Sequence, residues 1–295
     1  MSSTYSPQTP LRWVGGKRWL VPALQSVFAS KNCARFVDPF VGGASTAFVS
    51  PPGTQVISDV NADLVNFLRV STRRPRAIID HLSAWDDSAE VFSHVRAMAP
   101  RSKLEQASRF LYLNRTSFLG IYRVNRKGHY NVPYGGGGRL NRDTLNVNLR
   151  SLSRQLRGAS IDVGDFRTAL ADLRRGDLVF LDPPYRIQGD TVFGRYSATS
   201  FGWTDHLDMN ELVTAYTDSG VICVSTLPAS PDLIARYSGW CIVGARSNRT
   251  MPSGEVLLAS EPLAELRTNV NWSCEPRKIP SSKVRVCSLL NDIMV

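Results

Sequence analysis

The sequence predicts an α/β protein: a largely parallel sheet interrupted by a helical, basic insertion. Three observations carry this expectation. Short apolar runs of strand length end in acids or prolines, as at 178–181 before Asp182-Pro183-Pro184-Tyr185. A glycine turn, Gly42-Gly43, follows the first run, and Asp59 ends the second, which makes half of a nucleotide-binding α/β unit. The stretch 62–156 then changes character, becoming helical and strongly basic before the sheet pattern resumes.

The elements follow in order. Residues 11–28 open with Trp13-Val14-Gly15-Gly16-Lys17 and run into a helical pattern through Leu20, Leu24 and Phe28. Residues 35–37 form a strand ending at Asp38-Pro39-Phe40, and 46–49 read as the start of a helix. Residues 55–57 form the second strand, ending in Ser58-Asp59. Helices are expected over 62–70, 77–85 and 103–114, the last with apolar Leu104, Ala107, Phe110 and Leu111. A basic aromatic stretch follows and closes in the loop Gly135-Gly136-Gly137-Gly138. Strands are expected again over 160–163, 178–181 and 221–224, with 241–243 and 256–259 as a closing hairpin. After Pro262 the chain turns polar and reads as a tail. The predicted organisation is a discontinuous catalytic domain (1–61 and 157–265), a helical insertion (62–156) and a tail (266–295).

Charge narrows the function. The 295 residues carry a net charge of +10. Between Arg109 and Arg157 stand ten cations against one acid, Asp143, interleaved with Tyr112, Phe118, Tyr122, Tyr130 and Tyr134. Cations mixed with aromatics, Asn and Gly suit contacts to phosphates and bases, so nucleic acid is the expected partner. The five cysteines form no CxxC pair and the four histidines are dispersed, so neither a disulfide frame nor a metal site is expected. No stretch approaches the ~20 apolar residues of a membrane span. Residues 1–10 lack a secretory pattern, and a cytoplasmic protein is expected.

The strand-end cluster at Asp182 places a carboxylate, a stiff backbone with free carbonyls and an aromatic ring together. In open α/β sheets ligands bind at such carboxyl ends. The cluster offers acceptors for two N–H bonds and a ring for stacking, which suits a planar amine such as that of a nucleobase.

Taken in order, the motifs resemble the Dam-type N6-adenine DNA methyltransferases, the alpha group with a D12-type signature. The residues that carry the resemblance are Leu11-Arg12-Trp13-Val14-Gly15-Gly16-Lys17, Val37-Asp38-Pro39-Phe40-Val41-Gly42-Gly43 and Ser58-Asp59-Val60-Asn61. To these belong Phe110-Leu111-Tyr112-Leu113-Asn114-Arg115, Tyr122-Arg123-Val124-Asn125-Arg126-Lys127-Gly128, Tyr130-Asn131-Val132-Pro133-Tyr134 and Asp182-Pro183-Pro184-Tyr185. Phe201, Asp205-His206 and Glu255-Val256-Leu257-Leu258 also match. The resemblance implies a Rossmann-like, class I S-adenosylmethionine-dependent methyltransferase sheet with an inserted DNA-recognition domain. It implies double-stranded DNA as substrate, and a monomer or weak dimer is expected.

By resemblance, Trp13, Gly15, Gly16 and Lys17 contact the cofactor from the N-terminal loop. Asp38, Phe40, Gly42 and Gly43 form the turn under its methionine part, Asp59 takes the ribose hydroxyls, and Asp165-Phe166 hold its adenine. Asp182, Pro183, Pro184 and Tyr185 are the expected catalytic residues. The carboxylate and the Pro183 carbonyl accept the N6 hydrogens, while Tyr185 stacks on a base taken out of the duplex. Arg123 is expected to read a base edge, Phe118 to wedge into the stack, and Arg115, Arg126 and Lys127 to bind phosphates, with Asn125 and Tyr134 in the same surface. Leu119 stands where GATC methylases of this type commonly carry Asn. Leucine makes no polar contact there, which leaves GATC or a related short site open as the target. Two rival readings stand at this point: a non-catalytic DNA-binding regulator, and a methylase of RNA or of a protein amide.

Overall fold

The computed structural model describes residues 9–184, 201–248, 251–267 and 277–279. Its strands are β1 (Arg35–Asp38), β2 (Gln55–Asp59), β3 (Ser160–Val163), β4 (Asp177–Leu181), β5 (Ile222–Pro228), β6 (Cys241–Asn248), β7 (Met251–Ala259) and β8 (Arg277–Lys278). They form one sheet in the order β3-β2-β1-β4-β5-β7-β6-β8. The first five run parallel, β7 lies antiparallel between β5 and β6, and β8 pairs with β6. This is a Rossmann-like, mostly parallel sheet. Strand order reverses between β1 and β4, and the crevice outside the carboxyl ends there is where such sheets bind ligands.

Helices are α1 (Val21–Ser30), α2 (Ala62–Arg73), α3 (Pro75–Ser83), α4 (Ala89–Ala97), α5 (Lys103–Thr116), α6 (Arg142–Gln155), α7 (Phe166–Leu170), α8 (Trp203–Thr217) and α9 (Pro231–Ile234). Every residue of β4 is buried, and its side chains alternate between two faces as a strand's must. Leu178 and Phe180 pack with Leu24 and Val27 of α1, while Val179 and Leu181 pack with Met209 and Val213 of α8. A continuous apolar run is what a strand covered on both sides requires.

The helical stretch after β2 has no core apart from the sheet. Leu64, Phe67 and Leu68 of α2 and Leu149 and Leu152 of α6 share one cluster with Ile57 and Ile161 of β2 and β3. The helix expected over 46–49 is instead one 3-10 turn, Thr46–Phe48, because Pro51-Pro52 cannot extend it. The polar stretch after Pro262 is likewise more than a tail. Leu263 and Leu266 are buried beside α1, and Ile279, next to β8, joins the α8 face. Cys33, Cys223 and Cys241 are buried, and burial pushes the Cys33 thiol up to about 11. Among the described residues no helix is long and apolar enough to cross a membrane.

Candidate active site

The sheet gathers polar side chains on one edge. Asp38 ends β1, Asp59 ends β2, Asp182 follows β4, and Thr226 lies in β5. Glu255 reaches the same edge because β7 runs antiparallel, opposite Pro228. The Lys17 ammonium lies 2.8 Å from Oδ1 and 2.9 Å from Oδ2 of Asp182. It also lies 3.1 Å from Oε1 of Glu255 and donates to the Gly15 carbonyl at 3.0 Å. Thr226 donates its hydroxyl to Asp182 Oδ1 at 2.8 Å. Lys17 and Glu255 are only 5% and 4% exposed. Burial alone would lower the lysine, but the two carboxylates outweigh it and hold the ammonium above its ordinary range. Pro183 is buried and Pro184 exposed; Tyr185 lies outside the described residues.

Asp38 is wholly enclosed. Its Oδ1 accepts the Phe40 N–H at 3.0 Å and its Oδ2 accepts the Thr46 hydroxyl at 2.5 Å. Burial pushes its carboxyl up to about 7, against the pull of these hydrogen bonds. An acid raised on folding binds its proton more tightly in the native state, so stability is lost as pH rises through the folded value. We predict that Asp38→Asn, which keeps the shape and cannot ionise, gains on the wild type as pH rises from about 4 to about 7 and keeps that gain above it, by on the order of 4 kcal/mol at most. Denaturation at several pH values checks this. His206, which burial pushes down to about 4, titrates in both proteins and cancels. A difference independent of pH would refute the prediction.

The glycine turn is set by a tryptophan. A Cβ on Gly43 would come 2.6 Å from Trp13 Cβ, and one on Gly42, at φ +46°, 2.8 Å from Trp13 Nε1. Both positions must therefore be bare so that the indole can lie over the turn. Asp59 accepts the Gly42 N–H at 3.1 Å and the Asn61 N–H at 2.9 Å, and burial raises its carboxyl. On the other side, Phe40, Phe166 and Phe201 form a ring cluster with centroids 5.5 to 5.7 Å apart. Asp165 caps α7 by accepting the Arg167 N–H and pairs with the Arg167 guanidinium. Arg167 also holds Asp205 and Asp208.

The helical stretch is tied to this edge by Asn114, which is 2% exposed. Its Oδ1 accepts the Arg12 N–H at 2.8 Å, and its Nδ2 donates to the carbonyls of Arg12 (2.7 Å) and Gly120 (3.0 Å). Trp13 joins the same contact, its ring 6.5 Å from Tyr122 and 6.4 Å from Phe110.

From Tyr122 to Asn131 the chain makes a hairpin closed by the Val124–Tyr130 bridge. Asn125 Oδ1 accepts the N–H groups of Lys127 and His129, so it shapes the tip on which Arg126 and Lys127 stand exposed. Arg123, also exposed, donates from Nε to Asn131 Oδ1 at 2.8 Å, which aims its guanidinium. Tyr134 donates its hydroxyl to the Asp87 carbonyl, and Asp87 also takes the N–H groups of Arg139 and Leu140, anchoring the glycine loop.

The basic run is less of an open surface than its composition suggests. Arg109 donates to the carbonyls of Val95 and Arg96 at the end of α4, and Arg142 to those of Leu82, in the last turn of α3, and Trp85, just after it. They cap helix C-termini, a structural use of cations. Arg115 is half-buried and donates to the Arg139 carbonyl.

Phe118 and Leu119 are each 50% exposed. Leu119 has φ +55°, a left-handed conformation that costs a branched residue about 1–2 kcal/mol and suits Asn better. Leu119→Asn is accordingly expected to stabilise the fold by about 1 kcal/mol, read by chemical denaturation. No gain would mean that the exposed leucine packs well enough to offset the strain.

Thr226 and Asp87 sit in no motif that sequence reading could single out. Among the described residues no group of three or more His, Cys, Asp or Glu could hold a metal ion.

Sheet order, glycine turn and Asp-Pro-Pro strand end together define a Rossmann-like methyltransferase. The family model for the D12 class N6 adenine-specific DNA methyltransferases matches residues 13–228, and the chain belongs to that family. It is 31% identical over 251 residues to the type II methyltransferase M1.LlaDCHI of Lactococcus lactis subsp. cremoris, covering 81% of this chain and 87% of that protein. It is 30% identical to the type II methyltransferase M.CviBI of Paramecium bursaria Chlorella virus NC1A, over 78% of this chain and 86% of that one. A DNA adenine methylase of Vibrio cholerae is 26% identical over 68% of this chain and 74% of its own. Family membership fixes the enzyme class, adenine-specific DNA methyltransferase, and implies a methyl donor and a DNA substrate.

Proposed function

We propose that the protein transfers a methyl group from S-adenosylmethionine to N6 of an adenine taken out of duplex DNA, within a short specific site. The observation that carries this reading is the Asp182 carboxylate, which already accepts N–H donors on both oxygens at the strand-order reversal. A neutral exocyclic amine presents the same kind of donor. Asp182 and the Pro183 carbonyl would accept the two N6 hydrogens and localise the nitrogen lone pair, and positioning and electrostatics would supply most of the rate. Tyr185 would stack on the base.

The residues present fit S-adenosylmethionine. Asp59 offers a carboxylate for ribose hydroxyls, Phe40 and Phe166 offer apolar walls beside Asp165 for an adenine, and the bare Gly42-Gly43 backbone lies under Trp13 for the amino-acid part. When bound, the cofactor supplies an activated methyl group on a sulfonium. Lys17, Gly15 and Gly16 would close the site from the N-terminal loop.

The insertion 62–156 would read the duplex. Arg123 would meet a base edge, guanine being the natural partner of its fork, and Arg126, Lys127 and Arg115 would meet phosphates. The exposed pair Phe118-Leu119, one of them in a strained backbone, would enter the base stack.

Tritium transfer from labelled S-adenosylmethionine to DNA, RNA and protein substrates tests the reading. Label in N6-methyladenine of duplex DNA is the expected result. Label confined to RNA or protein, or to none of the three, would overturn it.

A further inference from the structure

Lys17 occupies the acceptors that a substrate amine needs. Its ammonium bridges both oxygens of Asp182 and the Thr226 hydroxyl holds Oδ1 as well, so an incoming amine competes with the ammonium and docks most fully once the ammonium lets go. Letting go is costly in a buried setting. A lysine 5% exposed that loses its carboxylate must find another or lose its proton. A second carboxylate is already at hand. Glu255 Oε1 lies 3.1 Å from Nζ against 2.8 Å for Asp182 Oδ1, and it is as buried as the lysine. Release therefore needs a turn of the lysine stem rather than travel into water.

Glu255 comes to this edge from a different strand than Asp182. It stands on β7, two strands from β4, and reaches the edge only because β7 runs antiparallel. A buried acid there, on a strand otherwise lined by Val256, Leu257 and Leu258, is out of keeping with its neighbours unless it serves a charge. Charge counting agrees. With the amine on Asp182 and the ammonium on Glu255, each carboxylate keeps an N–H donor and the buried ammonium keeps a counter-charge.

We propose that Glu255 is a positioning residue that takes over the Lys17 ammonium when the substrate amine takes Asp182. This rests on the adenine methylation proposed above. Among the described residues the acids whose charges act on Lys17 are Asp182, at the end of β4, and Glu255, on β7; Arg246 of β6 stands opposite Glu255 in the strand register, and Asp38, at the end of β1, acts on Asp182 from behind.

The test is the pH profile of methyl transfer to unmethylated genomic DNA by wild type, Glu255→Gln and Glu255→Asp. In Glu255→Gln the ammonium is expected to stay on Asp182 and compete with the amine, lowering kcat/KM for DNA roughly 10- to 100-fold near neutral pH. Raising the pH from about 7 to about 9.5 is expected to restore much of that loss. A buried lysine with the amine on Asp182 and no Glu255 holds its proton weakly, and once neutral it no longer competes for the carboxylate. Glu255→Asp, which keeps the charge, is expected to recover most of the neutral rate.

A Glu255→Gln deficit that does not change with pH, no deficit, or a Glu255→Asp as poor as Glu255→Gln would each overturn the inference. Should Glu255→Gln fail to fold, the double variant Lys17→Met/Glu255→Gln, which removes both charges, and Glu255→Asp carry the comparison. The double variant is then expected to fold, and Glu255→Asp to outperform it near neutral pH. An equal rate for the two would overturn the inference. Failure of the parent reading is distinguishable, because the wild type itself would then transfer no label to DNA, and the inference would fall with it.

Discussion

Asp182→Asn is expected to lower methyl transfer to DNA roughly 10²–10³-fold while leaving the fold and the DNA affinity in place. The carboxylate sits at the end of a fully buried strand, is oriented by the Thr226 hydroxyl, and carries the charge that Lys17 neutralises. An amide of the same shape retains one acceptor and puts an N–H where the other was. It would face the substrate amine with a donor and lose the negative charge that favours a developing positive charge on N6. Single-turnover transfer at saturating cofactor separates this from a binding defect. A rate within a few-fold of wild type would remove Asp182 from the chemistry.

The second large effect is structural and sits away from the strand ends. Asn114→Ala is expected to destabilise the protein by about 2–4 kcal/mol, read as a lower midpoint in urea. Alanine leaves the Arg12 N–H and the carbonyls of Arg12 and Gly120 without their partner in a closed space. The space cannot relax by moving Gly120, because its backbone is at φ +70° and a Cβ there would lie 2.6 Å from Arg12 Cβ. Since Arg12 precedes Trp13 and Lys17, the same variant should bind cofactor more weakly. A stability loss under about 1 kcal/mol would show that the N-terminal loop is held by its aromatic contacts alone.

Much of the sheet was legible because its strands obey simple rules. The run 178–181 is apolar throughout because both faces of β4 are covered, and Asp182-Pro183 ends it because proline cannot continue a ladder. Asp59 at the end of β2 and the glycines after β1 fell where an α/β edge needs an acid and a bare turn. The reason for the glycines was less legible. They admit Trp13 from a distant loop, a contact that only the folded chain brings about.

Helices were harder. The buried apolar stripe of α6 is only Leu145, Leu149 and Leu152, and α8 buries just His206, Met209 and Val213. The leucines of α6 keep the i, i+4, i+7 spacing of a helix but are few, whereas α8 shows almost no period and tertiary packing decides it.

Roles depended on partners that spacing does not reveal. Arg109 and Arg142 read as part of a nucleic-acid surface, yet they cap helix ends because Val95, Arg96, Leu82 and Trp85 present carbonyls there. Asn125 shapes the tip that presents Arg126 and Lys127, and Tyr134 anchors the glycine loop through Asp87. Glu255 matched a motif with no role attached, and only the antiparallel placement of β7 brings it to Lys17. The strand-end cluster could be read from four letters, but the lysine across it could not.

The most direct measurement is to express the protein in a methylation-free bacterial host and sequence the genome with modification-sensitive reads. N6-methyladenine at one recurrent short sequence, absent from cells carrying Asp182→Asn, is the predicted result. A genome without modified adenine, or one in which Asp182→Asn methylates as the wild type does, would contradict the account.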